Sequence, residues 1–229
     1  SYNGMVAIGF ESMSNFTSAY NILNGYNSDY SAAEQLNNTR SLDGFNTAVG
    51  YQSLKGSTTI TSNTGLYNTA IGYQSIFVNT SGSNNTALGY QTLKTNTTGG
   101  QNVAIGQSAL YLNNLSSYNV AVGFEALKSS VSNDNVAVGY QAGTYSTANT
   151  SGAQNTYLGA YTFTSNGGFN NSTAIGYNAQ ITNHNMIRLG NGSIENVFTT
   201  GNYNTTRAFI STLVTDATSA TADGALRIA

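Results

Sequence analysis

Residues Asn46–Leu54 read NTAVGYQSL, and variants of this nine-residue motif recur along most of the chain. Good copies are NTAIGYQSI from Asn68, NTALGYQTL from Asn85, NVAIGQSAL from Asn102, NVAVGFEAL from Asn119 and NVAVGYQAG from Asn135. Weaker copies begin at Met5, Asn155 and Ser172, and a degenerate last copy, MIRLG, ends at Gly190. Self-similarity at a nearly fixed spacing is the sequence signature of a repeat fold.

A glycine occupies the fifth position of every copy. These motif glycines are Gly9, Gly50, Gly72, Gly89, Gly106, Gly123, Gly139, Gly159, Gly176 and Gly190. From Gly50 onward most steps are 16 or 17 residues, which is shorter than the common helical repeats of about 33 residues or more. The spacing predicts a parallel β-solenoid with coils of about 17 residues, each with two short strands and two turns. A repeated glycine predicts positive φ or a wall too close for a Cβ.

The interval between Gly9 and Gly50 leaves room for two coils. We expect a degenerate copy of the motif between them in SAAEQL, which ends at Leu36 and has Ala32 in the glycine position.

Side chains alternate along a strand, so Ala48 and Gly50 point one way and Thr47 and Val49 the other. Stacking would place the motif asparagines above one another, where their amides can form a ladder. The aliphatic column before the glycine is never polar in these copies, which predicts that it is buried; it comprises Val49, Ile71, Leu88, Ile105, Val122, Val138, Leu158 and Ile175.

Two further apolar columns follow the glycine. The leucine column comprises Leu54, Ile76, Leu93, Leu110 and Leu127, and the aromatic column comprises Tyr51, Tyr73, Tyr90, Phe124, Tyr140 and Tyr177. A coil of about 17 residues has too small an interior for all three columns. The surplus apolar surface predicts association along the whole length, most simply as a parallel homotrimer.

The composition excludes several classes of protein. The chain has 229 residues, a net charge of −2, 7% charged residues, one His and no Cys, Pro or Trp. These numbers exclude disulfides and thiolate zinc sites, and we predict no metal and no cofactor. Seven scattered basic residues argue against nucleic-acid binding, and no apolar run reaches the roughly 18 residues of a membrane span.

We also predict no enzymatic activity and no catalytic residues. A glycosidase needs two carboxylates across a sugar, but Glu11 and Glu125 occupy the same motif position many coils apart, and we interpret both as solvated replacements for Gln. Three other acids, Asp29, Glu34 and Asp43, fall in the irregular segment before Gly50 and leave a weaker alternative. His184 is interpreted as a polar turn residue; a metal or anion site formed by three copies is the alternative.

Tyrosines outside the aromatic column are the candidate binding residues, because an aromatic face among amides and hydroxyls can hold a glycan. The candidates are Tyr67, Tyr111, Tyr118, Tyr145 and Tyr161. A structural role at coil edges or in a trimer seam is the alternative.

The NTAVG, NTAIG, NVAIG and NVAVG cores resemble repeats in the heads of trimeric autotransporter adhesins. That resemblance implies a left-handed parallel β-roll with three chains side by side. With its longer polar spacers, NTAIGYQSI is even more similar to repeats of viral tail-fibre and fibre-like adhesin proteins. The end of the chain, TDATSATADGALRIA from Thr215, resembles a segment that introduces shaft regions in phage fibres and implies that the chain continues beyond Ala229.

We therefore expect a solenoid domain over 1–195 and a transition to a stem or shaft over 196–229. The resemblance implies a structural and adhesive segment of a phage tail fibre, located in the virion, with other fibre or tail proteins and a host surface glycan or receptor as partners. The alternative is the head of a bacterial surface adhesin. A glycan depolymerase or an ice-binding solenoid, the latter suggested by the Thr47, Thr69 and Thr86 positions, ranks third.

Overall fold

The computed structural model describes residues 6–8, 22–24, 45–56, 64–144, 152–165 and 168–192. Thirteen strands and no helix occur in this part of the chain. They are β1 (Val6–Ile8), β2 (Ile22–Asn24), β3 (Thr47–Val49), β4 (Thr69–Ile71), β5 (Thr86–Leu88), β6 (Val103–Ile105), β7 (Val120–Val122), β8 (Val136–Val138), β9 (Thr156–Leu158), β10 (Phe163–Thr164), β11 (Thr173–Ile175), β12 (Gln180–Ile181) and β13 (Ile187–Leu189). Each coil is named below by its main strand.

Eleven of these strands form one parallel sheet in the order β1-β2-β3-β4-β5-β6-β7-β8-β9-β11-β13. Each strand is the second to fourth residue of a motif copy, and equivalent residues face each other, as in the pairing of Ala70 with Ala87 and of Ala87 with Ala104. The predicted parallel β-solenoid with coils of about 17 residues is therefore confirmed.

The coil between β1 and β3 is not the predicted one. The strand in that place is Ile22–Asn24, which pairs with β1 on one side and β3 on the other. Its sequence context, NILNGY from Asn21, keeps the motif frame with Gly25 in fifth place. The copy was missed because Asn24 breaks the aliphatic column, and the assignment to SAAEQL with Ala32 in the glycine position is wrong.

The interior is built from alanine and leucine positions. The motif alanines, such as Ala70, Ala87 and Ala104, are completely buried, and so are Ile76, Leu93 and Leu110 of the leucine column. The predicted alternation holds, but its inside and outside were assigned wrongly. The aliphatic column faces outward, because an interior filled by Ala and one Leu per coil has no space for a second large side chain.

The second wall of most coils is a series of turns rather than the predicted second strand. In the β4 coil, Gln74 and Ile76 have φ of 51° and 49°, and alternate left-handed residues contract the backbone. Their N–H groups still bond to flanking coils, Gln74 to the Tyr51 carbonyl and Ile76 to the Thr92 carbonyl, both at 2.9 Å. Among the residues that the structure describes, only β10 and β12 form a strand pair on this wall.

The motif asparagines form the predicted ladder. Asn68 Oδ1 accepts two hydrogen bonds from Asn85, one from the backbone N–H at 3.0 Å and one from the side-chain Nδ2 at 3.1 Å. Asn102 repeats this arrangement on Asn85. Because the Asn85 and Asn102 side chains are fully buried, these bonds satisfy groups that water cannot reach.

A second asparagine ladder, which the nine-residue motif does not contain, lies beside the first. Asn96 donates to Asn79 Oδ1 and Asn113 donates to Asn96 Oδ1, both at 2.9 Å. The two ladders share acceptors, since Asn85 and Asn96 both donate to the Gly99 carbonyl. The constant spacing of 17 residues between these asparagines was the signal available in the sequence.

The motif glycine is required for both predicted reasons, a positive φ and a neighbouring coil too close for a Cβ. Gly72 has φ of 128°, and a Cβ there would lie 2.3 Å from the Gly89 carbonyl oxygen of the next coil. The same spacing produces a second glycine column, Gly65, Gly82 and Gly99, packed against carbonyls of the following coil. Gly9 lies outside the described residues; the other motif glycines line up from β3 to β13 with positive φ.

The repeat changes after β8. Gly143 takes the place of the leucine, and Tyr157 takes the place of the motif alanine in β9 while remaining only 3% exposed. A Cβ on Gly143 would lie 2.9 Å from Tyr157 Cδ2 and 2.7 Å from Leu127 Cδ2. A large residue in one coil therefore fills the space left by a missing side chain in its neighbour.

By its internal contacts the chain divides into two units, Ser1–Ile194 and Glu195–Ala229. The second unit lies outside the described residues, so its assignment as a transition to a stem stays a prediction. Over the described ranges no helix is long and apolar enough to cross a membrane.

Candidate binding surfaces

From β3 to β11 the outward face of the parallel sheet is apolar and has no partner in the single chain. The aliphatic column runs along it, with Leu88 46% and Leu158 47% exposed. Beside it runs the first residue of each strand, which is Thr in β3 to β5, Val in β6 to β8 and Thr again in β9 and β11. From β3 to β13 neither of these two outward positions carries a charged residue, and Arg188 of β13 aligns with the inward alanine position, opposite Ala174.

The aromatic column forms two stacks separated by Gln107, which takes the aromatic place in the β6 coil. Tyr51, Tyr73 and Tyr90 stack with centroids 5.2 Å apart and interplanar angles of 10° and 8°. Rings stacked in this way cover each other's faces and expose mainly edges. The interior of a stack therefore offers little flat surface to a ligand.

The second stack changes orientation at Tyr161. Phe124 and Tyr140 are parallel, but Tyr161 meets Tyr140 at 62° and Tyr177 at 86°. Ala160 holds the aromatic position in this coil, and Tyr161 extends from the next position to complete the column. Its sequence position had suggested that it lay outside the column.

The five candidate tyrosines do not form one site. Tyr67 and Tyr118 are 54% and 56% exposed. Each precedes the motif asparagine of its coil, and the two coils are three apart. The ring of Tyr67 stacks on that of Phe45, with centroids 5.1 Å apart. Tyr111 is half-buried, with Lys94 Nζ 5.5 Å from its ring centroid. Tyr145 lies outside the described residues.

The position two after the glycine forms a polar column beside the aromatic one. Gln74 Nε2 donates to Gln52 Oε1 at 2.8 Å, and Gln91 Nε2 donates to Gln74 Oε1 at 2.9 Å. Such a chain of amides uses its own donors and acceptors. Ser108 interrupts it in the β6 coil.

Glu125 resumes the polar column in the β7 coil. Its Oε1 accepts from Lys128 Nζ, its Oε2 accepts from Gln141 Nε2 at 2.7 Å, and its side chain is 17% exposed. Burial acts to raise the pKa of Glu125, but the hydrogen bonds from Lys128 and Gln141 and the charge of Lys128 together lower that pKa below its usual value. Glu125 therefore replaces Gln in the polar column, as predicted, since it accepts from the next Gln in the same way, but it is a partnered, largely buried carboxylate rather than a solvated one.

A cleft of about 460 Å³ opens at this point of the surface. Its lining includes Glu125, Lys128, Gln141, Thr144, Tyr161 and Asn178, together with Ser129 and Phe163. Thr144 Oγ1 donates to the Glu125 backbone carbonyl at 2.6 Å, which ties two walls of the cleft together. Desolvation raises the pKa of the Tyr161 hydroxyl, and neighbouring Tyr140 adds to the shift.

The nine-residue motif does not indicate this cleft, although Tyr161 was one of the candidate binding residues. The signal in the sequence was the local replacement of the polar column by Glu125, Tyr161 and Asn178. Among the residues that line the cleft, Glu125 is the one carboxylate.

His184 lies in a turn, as predicted. Its Nδ1 accepts the backbone N–H of Asn170 at 3.1 Å, and its ring meets Phe169 edge-on at 5.3 Å. In the described portion of the chain, no group of three or more His, Cys, Asp or Glu side chains could hold a metal ion.

Searches of the chain against protein-family models, curated proteins and solved structures found no match.

Proposed function

We propose that this chain is a structural and adhesive segment of an elongated homotrimeric fibre, with its outward apolar face as the seam between chains. The observation that carries the proposal is the uninterrupted aliphatic column, which faces outward from β3 to β11. Each chain of a single-sheet solenoid offers one such face, and interfaces between permanently associated chains are more apolar than ordinary surface.

The fibre proposal goes further than the seam. The likeness of the motif to tail-fibre repeats supports a phage tail fibre in the virion, with left-handed coils, other tail proteins as neighbours and a host surface glycan or receptor as the target. The head of a bacterial surface adhesin would use the same seam. Spanning distance needs no catalytic residue, which agrees with the low number of carboxylates.

The test is the mass of the full chain in solution by light scattering. We expect about 72 kDa, three times the 24.0 kDa of one chain. The double variant Leu88→Lys and Ile105→Lys should dissociate to monomer, because it places charges on the seam. Asn114→Lys, in an exposed turn, is the matched control and should stay trimeric. A wild-type mass of about 24 or 48 kDa would contradict the trimer.

A further inference from the structure

We propose that the cleft beside Glu125 binds a neutral saccharide through hydroxyl groups on adjacent carbons. This inference rests on the adhesive part of the proposed function and gives it a site on this chain. The second position after the glycine carries amides that bond to one another in the β3 to β5 coils. From the β7 coil onward the same position carries Glu125, Gln141, Tyr161 and Asn178.

The first step concerns the acceptors. A carboxylate has about four positions at which it can accept hydrogen bonds. Lys128 and Gln141 occupy one on each oxygen of Glu125. These bonds fix the plane of the group and leave both oxygens able to accept from a pair of neighbouring hydroxyls.

The second step concerns the aromatic wall. Tyr161 is not stacked in parallel with either neighbouring ring, and it lines the cleft together with Phe163 and the polar groups. The apolar C–H side of a sugar ring packs on such a surface while its hydroxyls point to hydrogen-bonding groups.

The third step concerns charge and size. Glu125 disfavours an anionic ligand, while the ion pair with Lys128 neutralises the site and disfavours a free cation. The amide of Asn178 adds both a donor and an acceptor. A volume of about 460 Å³ falls within the usual range for small-molecule sites, about 300 to 1,000 Å³, and suits one or two sugar rings.

The experiment is saturation-transfer NMR on the full chain with four probes: D-glucose, D-galactose, D-mannose and N-acetyl-D-glucosamine. We expect transfer to at least one probe. Glu125→Gln should weaken binding at least tenfold, because a charged acceptor is lost, and it should fold normally since Gln fills this position in four other coils, as Gln52, Gln74, Gln91 and Gln141. Tyr161→Ala should also weaken binding, whereas Tyr73→Ala, at an exposed tyrosine of the aromatic column outside the cleft, should leave it unchanged.

Silence from all four probes overturns the site, and so does binding that survives both cleft substitutions. The light-scattering mass of the same samples separates this inference from the fibre proposal. A trimer without sugar binding removes the site alone. A monomer that binds sugar through Glu125 and Tyr161 removes the fibre seam and leaves the site.

Discussion

The coils from β4 to β7 and those from β8 to β13 use the same motif in different ways. In the first group, the interior positions contact their equivalents in the next coil, so one rule describes them: alanine and leucine inside, asparagine bonded to asparagine, glycine against carbonyl. In the second group, neighbouring coils compensate each other. Gly143 makes room for Tyr157, and Tyr161 replaces the ring that is missing at Ala160.

The repeat tolerates changes in side chains and in the backbone of one wall, but not in the pairing of the main sheet. The main sheet keeps its register through both groups, so its backbone bonds do not depend on side-chain identity. The opposite wall is less constrained and changes from turns to the β10–β12 pair. The cleft lies where this change occurs, with lining residues from the β7, β8, β9 and β11 coils.

The largest effect should come from a Cβ in the regular wall. Gly106 has φ of 118°, and a Cβ there would lie 2.5 Å from the Gly123 carbonyl oxygen. Gly106→Ala combines backbone strain with overpacking and should lower the free energy of unfolding by about 3 kcal/mol or more. Urea denaturation at one protein concentration measures this.

Gly192→Ala is the matched control for that substitution. No atom lies within 4 Å of the position a Cβ would take there, so the change should shift the free energy of unfolding by about 0.5 kcal/mol or less. Equal losses for the two variants would contradict the role assigned to the close wall.

A smaller effect should appear in the compensating coils at alkaline pH. Burial raises the pKa of Tyr157 above its ordinary value of 10.0, so the folded state favours the neutral phenol. Its contribution to stability is complete below pH 10 and is lost as pH rises beyond it, because the unfolded chain ionises first. The expected slope is about 1.4 kcal/mol per pH unit.

The measurement is urea denaturation of wild type and Tyr157→Phe at pH 9, 10 and 11. Tyr157→Phe lacks the ionisable group, so the difference in slope between the two proteins isolates it. Parallel slopes would mean that Tyr157 is not held neutral in the folded chain.

The smallest effect is a gain. The second asparagine ladder ends where Ser130 follows Asn113, and both Asn113 Oδ1 and Ser130 Oγ are buried without a hydrogen-bond partner. The backbone is equivalent at both places, since Asn113 N–H bonds to the Leu110 carbonyl at 3.1 Å and Ser130 N–H to the Leu127 carbonyl at 3.0 Å. Ser130→Asn should extend the ladder and add about 1 kcal/mol.

Ser130→Ala is the comparison for this gain, because it removes the unpaired hydroxyl without supplying a donor. Ser130→Asn should melt above both wild type and Ser130→Ala in a thermal scan. A melting point below that of Ser130→Ala would show that the β7 coil does not accept a further rung.

The parts of the fold that could be predicted depend on equivalence between coils. The period, the parallel register, the first asparagine ladder and the two reasons for the motif glycine follow from a residue repeated at one position. Which face of each strand is buried could not be predicted in this way, because alternation defines two faces without saying which is inside. Alanine was expected in the small interior and is found there, but the aliphatic residue beside it on the strand was also expected to be buried, which the alternation does not allow.

The site depended on departures from the repeat, which a motif analysis averages out. Glu125 looked like a conservative exchange for Gln, and its partners, Lys128 three residues on and Gln141 one coil on, are brought together only by the folded wall. Tyr161 was named as a candidate, but its place in the aromatic column follows from the small residue that precedes it. Asn24, likewise, hid a whole strand, because it stands in the motif position that is aliphatic in the other copies.

The shared direction of the bonds between coils has a mechanical consequence. The sheet bonds and both asparagine ladders run from coil to coil, so tension applied across the stacked strands loads the coil boundaries in series. Every boundary then bears the whole tension, and the force that each one withstands depends on its own bonds and not on the total. Boundaries joined by both ladders, such as the one between the β4 and β5 coils, are the reinforced links of this chain, and the one after Asn113, where the second ladder has ended, is a weaker link.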